Sequence, residues 1–216
     1  MNKISVLLVD DHAVVRAGFR MLLSATGYID IIAEAERGEE ACQLYVKIKP
    51  DVVVLDLSMP GMGGLECIRR IYRRDPSAKI LILSVHEETV YVKRALEAGA
   101  LGFISKSSAP EILVDAIQKI AVGTEFIAPM IEKRCHNSSN KLTDTGYSDL
   151  LTTLTPKEFD VFCLLVKGMT PHKIADELCL GYKTVANYGT QIKNKFNVST
   201  VVELAQIATI LGVVPR

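Results

Sequence analysis

The chain lacks net charge, long hydrophobic runs and paired-cysteine motifs, and each absence removes a class of function. Its 25 Lys and Arg residues are matched by 25 Asp and Glu. It is therefore no polycationic coat for nucleic acid, although a local basic face can hide inside a neutral total. The only apolar run near the N-terminus, Ile4 to Val9, is broken by Ser5, too short for a signal peptide or a membrane span. The expectation is a cytoplasmic protein with no membrane partner. Cys42, Cys67, Cys135, Cys163 and Cys179 are an odd number without CxxC spacing. That argues against a disulfide framework or a zinc site and for buried thiols at helical positions. The neighbours Cys135 and His136 lack the further ligands a metal would need.

What the chain does have is 216 residues that are 49% hydrophobic, enough for two cores. Up to about Val122, short β-branched runs alternate with longer amphipathic ones. Predicted strands are Ile4 to Val9, Ile31 to Ala35, Val52 to Leu55, Ile80 to Ser84 and Gly102 to Ser105. Predicted helices, with apolar spacing near 3.6, are Val14 to Leu23, Glu39 to Ile48, Gly64 to Arg73, Thr89 to Ala98 and Pro110 to Val122. This order predicts an α/β fold, a doubly wound five-stranded parallel sheet that collects ligands at the carboxyl ends of its strands.

Those ends carry the chemistry. The first strand runs into Asp10 and Asp11, the third into Asp56, the fourth into Ser84 and the fifth into Lys106. Three carboxylates on one rim repel one another unless a hard divalent cation with oxygen ligands sits among them, and Mg2+ is the natural candidate. With a metal on one side and Lys106 on the other, Asp56 can attack phosphorus in line and become an acyl phosphate. Each residue alone has a plainer reading. Asp10 or Asp11 could cap the following helix, Asp56 could open the turn from Ser58 to Gly64, Lys106 could be solvated, and Ser84 could be a satisfied strand-end hydroxyl. Their placement together on successive strand ends of one sheet is what favours a site.

On "LLVDDH", "VVVLDLSMPGMGGLE", "ILILSVHE" and "GALGFISKS", this half resembles the receiver domain of bacterial two-component response regulators, a flavodoxin-like fold. The resemblance implies Asp56 as phospho-acceptor, with Asp10, Asp11, Asp56 and the Ser58 carbonyl as ligands of Mg2+. It implies Ser84 and Lys106 as the phosphoryl-binding pair, and Phe103 as the aromatic that moves inward with the hydroxyl. Phe103 stands where Tyr is frequent, so switching there rests on packing alone.

Past Val122 the periodicity lapses. Ala128 to Lys133 suits a short helix, and the polar stretch Cys135 to Asp149 reads as a linker. The division is therefore 1–125, a linker at 126–150, and a small all-α domain at 151–216. That domain opens on Thr155 as cap, Pro156 at the first helical position and Glu158 three residues after the cap. Gly168 stops the first helix, a second follows Thr170 from Pro171 to Leu178, Gly181 turns the chain, and helices from Tyr182 to Asn197 and from Val201 to Leu211 complete the set. The pattern matches a helix-turn-helix, whose later helix enters the DNA major groove. From Lys157 to Arg216 seven basic residues face five acidic ones, a modest basic balance. "LTPKE", "VKGMTPHKIADELCLGYKTVANY" and "KFNVSTVVELA" resemble the LuxR-type helix-turn-helix domain, and with the receiver they identify a member of the NarL/FixJ class. The resemblance implies DNA contacts from Lys183, Thr184, Ala186, Asn187, Thr190 and Lys193, and a dimer contact from Val201, Leu204, Ile207 and Ala208. Gly189 and Thr190 occupy a stretch where members of that family usually place basic or bulky residues.

The expected function is therefore a phosphorylation-activated transcriptional regulator, not an enzyme. Its expected partners are a sensor histidine kinase or phosphotransfer protein and double-stranded DNA, with a homodimer forming when phosphorylated. A haloacid-dehalogenase-type phosphatase would need a second carboxylate two residues after Asp56, where this chain has Ser58. The other alternative is a receiver driving protein contacts through a helix-turn-helix that binds no DNA.

Overall fold

A computed structural model describes residues 3–108, 110–139 and 146–213, except for the side chains of 136–139 and 148. The chain divides into two compact units, the first made of residues up to Glu87 and of Tyr91–Glu132, the second of Glu88–Val90 and the residues from Lys133 on. In the first, β1 (Ile4–Val9), β2 (Ile29–Ala35), β3 (Val52–Leu55), β4 (Ile80–Ser84) and β5 (Gly102–Ser105) alternate with α1 (Ala13–Ser24), α2 (Gly38–Ile48), α3 (Gly64–Arg74), α4 (Thr89–Ala98) and α5 (Pro110–Ala121). The central strands are apolar without alternation because helices cover both faces of the sheet. Val52 to Leu55 and Ile80 to Leu83 are buried throughout. Helix α3 shows the complementary pattern: Leu65, Cys67, Ile68 and Ile71 are buried, while Arg69, Arg70, Arg73 and Arg74 face outward.

The sheet has six strands rather than five, in the order β2-β1-β3-β4-β5-β6 and parallel throughout. The added strand β6 is Phe126–Ile127, two residues inside the segment expected to be linker. Its backbone is tied to β5, with the Phe126 N–H donating to the Leu101 carbonyl at 3.2 Å and the Ala128 N–H to the Phe103 carbonyl at 3.0 Å. Two residues give no periodicity, so only the pairing reveals this strand. The same segment holds α6 (Pro129–Ser139) and the start of α7 (Tyr147–Thr152). Helix α6 thus runs six residues beyond the expected Lys133, through polar positions that carry no apolar repeat. Of the expected linker, 140–145 lie outside the described residues, as does the side chain of His136.

The second unit continues with α8 (Pro156–Val166), α9 (Pro171–Glu177), α10 (Tyr182–Phe196) and α11 (Val201–Ile210). The predicted start signal forms a complete capping box: the Glu158 N–H donates to Thr155 Oγ1 at 3.3 Å and the Thr155 N–H to Glu158 Oε2 at 2.7 Å. Phe159, Phe162 and Phe196 are fully buried, and the last two stack with centroids 5.4 Å apart. The expected dimer stripe on α11 is mostly core. Leu204, Ile207 and Ala208 are buried among these residues' own unit, whereas Val201, Val202 and Ile210 are exposed. The i, i+3, i+4 spacing marks one apolar face, and a domain this small uses that face first to close its own core.

Candidate functional site

The strand order reverses between β1 and β3, the place where a doubly wound sheet opens a crevice. Backbone bonds carry the sheet register one residue past the strands. The Asp10 N–H donates to the Ala35 carbonyl at 3.1 Å, the Asp56 N–H to the Val9 carbonyl at 2.9 Å and the Lys106 N–H to the Ser84 carbonyl at 2.8 Å. Side chains that the sequence separates by up to about a hundred residues are thereby held on one rim.

Lys106 lies at its centre. Its Nζ is 2.6 Å from Asp10 Oδ2 and 2.7 Å from Asp56 Oδ2, with the side chain only 11% exposed. It is no solvated surface lysine. Asp56 is 2% exposed, and its Oδ1 also accepts the Ser58 N–H at 3.2 Å, so it opens a turn and serves the cluster at once. Burial pushes the Asp56 carboxyl above the ordinary range, although Lys106 pulls the other way. Burial disfavours the Lys106 ammonium, but Asp56 and Asp10 outweigh it and hold its pKa above the usual lysine value. Neither Asp10 nor Asp11 caps α1, whose N-cap is His12 without a side-chain cap bond. Asp10 Oδ1 instead accepts the His12 N–H at 2.9 Å.

Asp10, Asp11, His12 and Asp56 can each offer a ligand atom within 4.8 Å of the others. Apart from the Lys106 contact at Asp10 Oδ2 and a His12 Nδ1 contact at 2.8 Å from Asp11 Oδ1, these two buried oxygens have no hydrogen-bond partner. Three carboxylates gathered this closely, with oxygens left over from hydrogen bonding, fit a hard divalent cation. Ser84 is fully buried at the end of β4, where its Oγ accepts the His86 N–H at 3.1 Å. Phe103 is also fully buried. All expected residues of the first half thus meet on the rim or, for Phe103, in β5 behind it.

Three neighbours were not expected. Arg16 is 7% exposed, donates from Nη1 to the Asp10 carbonyl at 2.5 Å and pairs with Glu36 and Glu34. It holds the backbone that presents the acid pair. Its signal was an arginine one heptad before the buried Leu23 on α1's inner face. His86 Nε2 lies 2.9 Å from Ser58 Oγ, and its ring stacks on Tyr91 at 4.3 Å. His12 brings a ring nitrogen to the acid pair.

In the second unit, α9 and α10 form the helix-turn-helix. The turn between them places Cys179 at φ 51° and leaves it exposed, the one thiol not even partly buried. Val185, Ile192 and Phe196 anchor α10 inward. Its opposite face exposes Lys183, Thr184, Asn187 and Thr190. Ala186 is half-buried, and the half-buried Lys193 reaches the Ser199 carbonyl at 3.5 Å. Gln191 and Asn194 extend the exposed face and were not singled out by sequence. Gly189 does not belong to it, since a Cβ there would meet Leu165 of α8 at 3.6 Å.

Comparison with known proteins agrees with both halves. Residues 6–118 match the response regulator receiver domain, and residues 152–208 match the bacterial regulatory proteins of the luxR family. This chain is a response regulator of the NarL/FixJ class. The regulator is 37% identical over 205 residues to response regulator UvrY of Escherichia coli (strain K12), covering 95% of this chain and 93% of that one. It is 36% identical over 211 residues to the transcriptional activator protein ExaE of Pseudomonas putida, covering 96% of each. Among solved structures it is similar to the RcsB response regulator of Salmonella typhimurium, described for its conformational dynamism for DNA interaction, with 25% identity, a TM-score of 0.70 and coverage of 98% and 100%. A further RcsB structure, a complex with DNA, matches at 25% identity and a TM-score of 0.61, covering 97% of this chain and 99% of that one. The regulator therefore joins a receiver to a LuxR-type DNA-binding domain and acts in transcription. Among its described residues no helix is long and apolar enough to cross a membrane.

Proposed function

We propose that Asp56 accepts a phosphoryl group from a sensor histidine kinase or phosphotransfer protein in the cytoplasm, and that this controls promoter binding by the C-terminal domain. The observation that carries the reading is one buried carboxylate, Asp56, bridged to Asp10 by the Lys106 ammonium and clustered within 4.8 Å of ligand atoms of Asp10 and Asp11. Asp10, Asp11, Asp56 and the Ser58 carbonyl would hold Mg2+, which when bound supplies charge neutralisation at phosphoryl oxygens. An Asp56 carboxylate oxygen forms the new bond to phosphorus, the phosphorus–nitrogen bond of the donor histidine breaks, and that nitrogen keeps the electron pair. Lys106 meets the charge gathering on the equatorial oxygens, the Ser84 hydroxyl donates to one of them, and Phe103 repacks as Ser84 moves. With Ser58 in place of a second acid, no side chain two residues on assists a leaving group, so the acyl phosphate persists as a signal rather than turning over.

In this reading the receiver occupies 1–125 with β6 completing its sheet, the connection 126–150 carries α6, and 151–216 bind DNA. Lys183 and Thr184 meet phosphates, while Asn187 and Thr190, with Gln191 and Asn194 beside them, face the groove. A phosphorylated homodimer would use the exposed Val201, Val202 and Ile210 of α11. Incubation with acetyl phosphate and magnesium tests the acceptor. Intact mass rises by one phosphoryl group that hydroxylamine removes, and Asp56→Asn gains none. An Asp56→Asn protein that gains the same labile group contradicts the assignment.

A further inference from the structure

One pair of reactive side chains outside the rim has no role in the chemistry above. Cys42 on α2 and Cys67 in the first turn of α3 hold their Sγ atoms 3.8 Å apart. Cys67 is fully buried, with its Sγ 3.5 Å from the Gly38 carbonyl. Cys42 is half-buried and opens on a groove of about 470 Å³ lined in part by Lys47, Arg70 and Arg74. The Cys67 thiol hydrogen-bonded to it, followed by Arg70, holds the Cys42 thiol below its ordinary pKa despite burial. The same hydrogen bond and burial push Cys67 well above. A reachable sulfur 3.8 Å from a buried partner thiol is the arrangement of an attacking and a resolving thiol.

The pair also touches the acceptor's own support. Helix α3 begins at Gly64, packed so closely that a Cβ there would lie 2.4 Å from the Asp56 carbonyl oxygen and 2.5 Å from the Leu57 Cα. Cys67 lies on that same turn, with its N–H donating to the Gly63 carbonyl at 3.1 Å. A disulfide needs the sulfurs to close from 3.8 Å to about 2.05 Å. Where that closing shifts the turn at Cys67, the close packing of Gly64 carries the shift to the backbone of Asp56 and Leu57.

We propose that Cys42 and Cys67 form a peroxide-sensitive dithiol whose closure to a disulfide draws α3 toward α2 and weakens phosphoryl binding at Asp56. The effect on binding rests on the acceptor role proposed for Asp56. The Cys42 sulfur, having given up its proton, attacks one oxygen of hydrogen peroxide, the O–O bond breaks, and the leaving hydroxide takes that proton to depart as water, with Cys42 left as a sulfenic acid. The Cys67 sulfur then attacks the Cys42 sulfur, the S–O bond breaks, and the leaving hydroxide takes the Cys67 proton to depart as a second water. Two thiols have lost two hydrogens and two electrons, and one peroxide has become two waters. In a reducing cytosol such a bond is transient, as a sensor requires.

The full-length protein is treated with hydrogen peroxide, its mass is measured, its digest is mapped, and it is titrated with beryllofluoride in magnesium. The expected results are a loss of two hydrogens, a linked peptide containing Cys42 and Cys67, and affinity for beryllofluoride lowered about fivefold, the lower end of ordinary coupling between sites. Dithiothreitol reverses all three, and Cys42→Ser binds beryllofluoride after peroxide as tightly as before it. Peroxide that leaves both thiols free, or takes Cys42 to a sulfinic acid without the linked peptide, overturns the disulfide. A linked peptide with unchanged affinity overturns the coupling. Reduced protein that binds no beryllofluoride contradicts the role of Asp56 instead, and the mass map still decides the disulfide.

Discussion

Two buried carboxylates in this chain shift in opposite directions, and each sets a pH dependence. Burial raises the Asp56 pKa, so the folded state holds its proton more tightly than the unfolded chain. The charged form therefore weakens the fold at neutral pH, and this penalty fades as pH falls through the raised folded value and is gone below the unfolded value of 3.8. Asp56→Asn is expected to raise stability at pH 7 relative to wild type, with the gain vanishing in acid, as denaturant titrations at several pH values will show. Glu158 is the opposite case. Burial works against its charge, yet Lys195 at 2.7 Å and Thr155 outweigh burial and hold its carboxyl below the ordinary range. Its contribution is present above the unfolded value of 4.5 and is lost as pH falls through the lower folded value. Glu158→Gln should destabilise the protein by about 1–2 kcal/mol at pH 7, and the difference should close in acid; a difference constant with pH would remove the ion pair from the account. The candidate acidic and lysine residues were legible because each follows an apolar run. Arg16, His12 and His86 were not, because a lone arginine or histidine on a helix or loop carries no sign of which carboxylate or hydroxyl it will meet.

Among the elements, those with strong periodic signals emerged where the sequence placed them. β1, β3, β4 and β5 have the expected bounds, and the cap of α8 is the predicted one. Thr155→Ala should cost about 1 kcal/mol in denaturant unfolding. What sequence missed is what depends on a partner element: β6 exists through the edge of β5, α6 continues without an apolar face, and the stripe of α11 turned inward to fill its own unit's core. The two glycines of interest separate in the same way. Gly64→Ala would drive a methyl group into the Asp56 backbone, costing about 1–3 kcal/mol by overpacking and slowing phosphoryl uptake. At Gly189 a Cβ meets only Leu165 at ordinary contact distance. Gly189→Ala should therefore stabilise α10 by about 1 kcal/mol and leave DNA affinity unchanged, whereas weakened DNA binding would return this position to the groove face.

For the whole molecule, the central claim is that phosphorylation of Asp56 governs DNA binding by α10. Two joined domains allow such control only if the phosphoryl group favours one arrangement over another through contacts that differ between them. The surface that reads DNA is specified separately. Lys183→Ala should lower the slope of log affinity against log salt by about 1, as one lost phosphate contact does. Asn187→Ala should reduce discrimination between target and scrambled duplexes by about 1–3 kcal/mol. The most direct test joins the two halves in one salt-controlled titration on the protein's own target duplex, with wild type and Asp56→Asn, before and after acetyl phosphate with magnesium. The account predicts that wild type gains affinity on treatment, that hydroxylamine abolishes the gain, and that Asp56→Asn stays at the untreated level. Equal affinity in all four samples, or an equal gain in Asp56→Asn, would contradict it.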